Sequence, residues 1–185
     1  MAINKLKFMI FFLLLFSILV PNNSIGQNIN ECMSLKNSRI YAFVARDWQN
    51  VIRVTMEYIT YCNKIFGSED LGYAYCTLGL AYYEMEDFKN SIEASEKGVK
   101  IYYGNANCHL NKAKSFFKLN HNDEAMRNLD ITEKVAVQAV IQADQAIKYS
   151  GNQLDKQLQE MNKKENETII EYAKLLREEF RQKSK

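Results

Sequence analysis

Four cysteines, Cys32, Cys62, Cys76 and Cys108, are the side chains of this sequence best suited to chemistry. No two stand as C-x2-C, the spacing that lets one turn supply two zinc ligands, so no metal site is expected. An even number of thiols in an exported chain suits disulfides, and four permit three pairings; four small buried apolar side chains are the other use of such residues. The histidines offer less. His109 falls within an apolar helical pattern and His121 in a turn, and no HExxH, nucleophile elbow or Gly-rich phosphate loop accompanies either. Glu84, Glu86 and Asp87 read as a solvated turn and a helix cap. Neither catalysis nor a cofactor is expected.

Whether the thiols meet an oxidant depends on the N-terminus. Residues 1–26 read as a signal peptide: Lys5 and Lys7 precede the apolar run Phe8–Val20, which suits a secretory core and falls short of the roughly 20 residues a spanning helix needs. Pro21 follows, and Ser24-Ile25-Gly26 offers small residues for cleavage before Gln27. The expected mature chain is exported, periplasmic or extracellular, and does not span a membrane; an uncleaved anchor is the alternative. Residues 1–26 carry two of the 24 basic residues and none of the 22 acidic ones, so the remainder is balanced in charge. Without a basic excess, attraction to nucleic acid or an anionic membrane is not expected.

The elements that must position the cysteines are helices. With one Pro, seven Gly and 47% apolar residues, the chain has few breakers and enough side chains for a core. Met33, Leu35, Ile40, Tyr41, Phe43 and Val44 are expected to line the inside of a first helix, and Val51, Ile52, Met56, Ile59 and Cys62 that of a second. Arg46-Asp47-Trp48-Gln49-Asn50-Val51-Ile52 matches Glu86-Asp87-Phe88-Lys89-Asn90-Ser91-Ile92 in order, with Asp87 a plausible N-cap. Helical hairpins are therefore expected at about 29–66, 71–103 and 106–137. This arrangement brings Cys32 near Cys62 across the first hairpin and Cys76 near Cys108 between successive ones, which makes them the candidate disulfide pairs.

The second and third hairpins repeat at 34 residues: Tyr75 pairs with His109, Gly79 with Ala113, Tyr82-Tyr83 with Phe116-Phe117 and Ser91-Ile92 with Ala125-Met126. Tyr75-x2-Leu78-Gly79-x2-Tyr82 resembles the opening of the tetratricopeptide repeat, with Tyr for Trp, and the resemblance covers about 65 residues from Leu71 to Val137. It implies an all-α, tetratricopeptide-like helical-hairpin array, an α-solenoid, over 27–150. The chain departs from the pattern at Tyr103, where Pro is usual, at Asn122, where an aromatic is usual, and at Lys112 in the place of Leu78.

The same resemblance implies a concave groove lined by the first helix of each hairpin. Its candidate ligand-binding residues are Tyr73, Thr77, Leu80, Tyr83 and Glu84, with Asn107, Leu110, Asn111, Lys114, Phe117 and Lys118. Family members that clamp a terminal carboxylate use paired Lys and Asn; Cys76 and Leu80 stand at the second hairpin's equivalent sites. Residues 151–185 form a C-terminal amphipathic helix carrying Leu154, Leu158, Met161, Ile169, Tyr172, Ala173, Leu176 and Phe180, expected to cap the array. The expected function is a non-enzymatic adaptor that binds a protein or peptide. The alternative is a structural subunit of an envelope complex, assembling with a partner or a second copy through that helix.

Overall fold

The computed structural model describes residues 24–183, so the signal-peptide reading falls almost wholly outside the described residues. Seven helices and no strand occur among them: α1 (Ser24–Val44), α2 (Trp48–Cys62), α3 (Ser68–Glu84), α4 (Phe88–Ile101), α5 (Ala106–Lys118), α6 (Asn122–Tyr149) and α7 (Gln153–Lys183). Three hairpins, α1/α2, α3/α4 and α5/α6, stack in order, and α7 lies along α6 and against α5.

One turn is used three times. Arg46, Glu86 and Asn120 close α1, α3 and α5 at φ 55°, 61° and 61°, the left-handed conformation usually given to glycine. The following residue sends its N–H back to the carbonyl five residues earlier, Asp47 to Ala42, Asp87 to Tyr82 and His121 to Phe116, at 3.0, 2.9 and 2.9 Å. Asp47 and Asp87 then cap the next helix by accepting from the N–H of Asn50 and Asn90. The third hairpin keeps this geometry although Asn122 replaces an aromatic, because the backbone bonds do not depend on that ring.

Small residues set how closely the hairpins stack. A Cβ at Gly79 would collide with Ser95 Oγ, and one at Gly98 with Cys108 Sγ. Between α4 and α5 the Ser115 hydroxyl donates to Ser91 Oγ at 2.8 Å, both buried. Cys76 and Cys108 are bonded with Cα atoms 4.8 Å apart, tying α3 to α5, and Cys32 is bonded to Cys62 at 5.7 Å, tying α1 to α2. Each cross-link adds about 3–4 kcal/mol in the chain-entropy account.

The largest core cluster joins Leu110, Leu129 and Ala136 of the third hairpin to Ile169, Ala173, Leu176 and Phe180 of α7. On α7 the expected apolar line is buried only at Ile169, Ala173, Leu176 and Phe180; Leu154, Leu158, Met161 and Tyr172 are exposed. The first helix also differs from expectation. Cys32, Arg39 and Ala42 are buried and Leu35 is half-buried, whereas Met33, Ile40, Tyr41, Phe43 and Val44 are exposed. Only α2 packs closely against α1, and the disulfide, together with the Arg39 guanidinium lying 4.7 Å from the centre of the buried Tyr58 ring, fixes the rotation of α1. Met56, expected inward on α2, is exposed as well.

His109 is 2% exposed, with the Tyr103 ring edge-on at 5.2 Å. Burial first, and the Lys112 charge second, lower its pKa to about 4. The folded state thus holds it neutral while an unfolded chain takes up a proton below about pH 6.5.

Three outcomes follow from this packing. Glu86→Gly should raise stability by about 0.5–1 kcal/mol in urea unfolding, because glycine tolerates the left-handed turn. Gly98→Ala should lower it by about 1–3 kcal/mol, because the neighbour it meets is cross-linked and cannot move aside. His109 contributes stability that is complete above about pH 6.5 and is lost as pH falls towards 4; wild type should therefore lose up to about 3 kcal/mol more than His109→Gln across that interval in parallel melts.

Candidate functional site

Helices α1, α3 and α5 are the first helices of their hairpins, and α7 follows as a fourth. Their exposed sides form one lined surface. At its centre is a cavity of about 210 Å³ bounded by Phe43, Tyr73, Cys76, Thr77, Leu80, Asn107, Asn111 and Glu165. Five of the groove residues expected from sequence, Tyr73, Thr77, Leu80, Asn107 and Asn111, meet here.

Their polar groups are partly committed. Thr77 Oγ1 donates to the Tyr73 carbonyl at 2.9 Å, Asn107 Nδ2 to Glu165 Oε1 at 3.1 Å, and Asn111 Nδ2 to the Cys76 carbonyl at 3.0 Å. The Asn111 bond, buried beside the Cys76–Cys108 disulfide, holds α5 on α3. The Tyr73 ring stands 6.0 Å from that of Tyr102 and its pKa is pushed up to about 12, by burial first and then by Tyr102, Glu165 and Glu69.

Tyr83, Glu84 and Lys114 form a second group. The Lys114 ammonium sits 4.0 Å from the centre of the Tyr83 ring, a cation–π contact. Burial lowers its pKa while Glu84 opposes that shift. Burial likewise raises that of Tyr83, with Tyr172, Glu84 and Glu179 adding to it. Glu84 and Lys118 are exposed.

Leu110 and Phe117 do not open onto the groove. Leu110 is buried in the core, and the Phe117 ring stacks on Phe180 at 3.7 Å, so α7 takes the space a ligand would need. Conversely, the sequence reading missed the α1 wall. Met33, Ile40, Phe43 and Val44 stand 40 residues before Tyr73, Leu80, Tyr83 and Glu84, and all four are exposed. The match of Asp47-Trp48 to Asp87-Phe88 carried that offset and could have found them. Glu165 and Tyr172 of α7 were missed for lack of any repeat signal there.

Among the described residues no helix is long and apolar enough to cross a membrane. No protein-family model and no curated protein matches the sequence. Solved structures do resemble it. The TPR domain of OM64 from Arabidopsis is 15% identical over 74% of this chain and 98% of that one, with a TM-score of 0.52. The TPR2B domain of yeast Sti1, in its pHsp70 complex, is 15% identical over 78% and 97%, with a TM-score of 0.54. PcrH in complex with the chaperone binding region of PopD is 9% identical over 80% and 94%, with a TM-score of 0.55, and PcrH from Pseudomonas aeruginosa matches at a TM-score of 0.53. Repeat spacing, recurring turns and these likenesses agree that the chain has the all-helical fold of tetratricopeptide-repeat domains.

Proposed function

We propose that this chain is a non-enzymatic adaptor that binds a peptide segment of another protein along the groove of α1, α3 and α5. The observation that carries the reading is the cavity where the exposed Phe43 of α1 meets Tyr73, Leu80 and Asn107, on a helix that also leaves Met33, Ile40 and Val44 exposed. Rings and aliphatic groups there supply contact area and the amides suit a peptide backbone. Two neighbours of the same fold are described in complex with pHsp70 and with a region of PopD. The apolar run 8–20 and the two disulfides favour an exported chain working in an oxidising compartment, cleaved near Gly26/Gln27.

A second reading, a structural subunit assembling through its C-terminal helix, draws on Leu154, Leu158 and Met161, which are exposed beyond the point where α7 packs on the array. Deleting α7 would uncover the core around Leu129, so point changes are the better probe. Cross-linking the full protein in its own compartment identifies the partner. Ile40→Asp and Lys114→Ala should then each weaken capture on the order of tenfold or more with unchanged helical circular dichroism, while Leu158→Glu leaves it intact. Loss of capture in Leu158→Glu alone would favour the subunit reading.

A further inference from the structure

A second cavity, about 320 Å³, opens where the start of α3, the α4–α5 turn and the α6–α7 hairpin meet. It adjoins the groove, since Tyr73, Asn107 and Glu165 line both. Two carboxylates, Glu69 and Glu165, face it, and among the described residues no lysine or arginine lines it. Glu165 accepts from Asn107, and neither Glu69 nor Glu165 is in an ion pair among the described residues. The rings of Tyr73 and Tyr102 form an aromatic wall.

Asn105 carries a buried amide nitrogen that lacks a partner. It is 2% exposed and lines the cavity; its Oδ1 accepts the Asn107 N–H at 3.0 Å, while its Nδ2 has no acceptor. A buried donor without a partner is costly, and an incoming carbonyl oxygen would satisfy it. The carboxylates and ring faces, for their part, fit an ammonium or guanidinium. An anion is disfavoured: the capped N-terminus of α5 offers about half a positive charge against two full negative ones. Glu69 lies in the first turn of α3, where the helix dipole favours an acidic side chain.

We infer that this cavity receives a lysine or arginine side chain of the bound peptide, with Glu69 and Glu165 on the cationic head, Tyr73 and Tyr102 beside its stem, and Asn105 Nδ2 on a peptide carbonyl. The inference rests on the groove binding a peptide and adds a specificity for basic residues at one position. It also gives the α6–α7 hairpin a share in recognition, since Glu165 comes from α7.

Selection from a randomised display library of 12-residue peptides on the full chain tests it. Peptides enriched in Lys or Arg at one fixed position relative to apolar anchors are expected. Replacing that residue by citrulline or norleucine should weaken binding on the order of ten- to a hundredfold. Glu69→Gln/Glu165→Gln, checked for unchanged circular dichroism, should lose the enrichment and keep the apolar anchors; Asn105→Ala is not used because it also removes a helix cap. Apolar anchors without a basic position would overturn the inference and leave the groove reading standing. Failure to select any peptide would overturn both. Enrichment that persists in the double variant would place the basic residue elsewhere, and free arginine competing as well as the peptide at equal concentration would reassign the cavity to a small cation.

Discussion

Helices α3, α4 and α5 close on one another because glycines and serines stand where they cross and meet a hydroxyl or a disulfide sulfur. Gly79 admits Ser95, Gly98 admits Cys108, and Ser91 meets Ser115. That approach brings Cys76 within bonding range of Cys108 and lets Asn111 reach the Cys76 carbonyl. It therefore fixes the spacing of α3 and α5, and with it the floor of the groove. Between α1 and α3 there is no equivalent: the two helices are linked on that side by Lys36–Asp70 at 2.6 Å, and the apolar wall of α1 stands open. The groove is rigid at one end and loosely braced at the other.

The period, the glycines and Asp87 were legible in the sequence because each answers to a local rule of spacing, close approach or capping. The turns were not announced by their residues, since Arg46 and Glu86 occupy positions where glycine is usual and only the recurring backbone bonds reveal them. The rotation of α1 was misread because an apolar side chain was taken to point inward. At the open edge of an array that rule runs one way only, and the apolar residues there stay exposed, Phe43 among them at the groove cavity.

The covering of Leu110 and Phe117 had a different cause. Helix α7 is rich in charge, and its inward side chains are diluted by Glu and Lys, so nothing in the local pattern shows that Phe180 reaches across to stack on Phe117. Its docking also uses contacts with no sequence proximity: Arg177 spans Asp130 and Glu133 at 2.6 and 2.7 Å, and Lys163 meets Asp144 at 2.7 Å. The more exposed Lys163 pair adds little to stability, but with the largely buried Arg177–Glu133 pair it fixes the register of α7 on α6 and so places Glu165 beside Asn107.

The two cross-links also govern how the chain would respond to load. One disulfide joins the two ends of residues 32–62 and another those of residues 76–108, which removes both segments from the path along which tension travels. Pulled from its termini, the array can lengthen between Cys62 and Cys76 and beyond Cys108, but each closed loop withholds roughly 100 Å of extended chain. Helix α4, which lies wholly inside the second loop, bears no direct tension along its own backbone. A tethered protein with this layout would give up its C-terminal hairpin under strain and keep α3 and α5 pinned together.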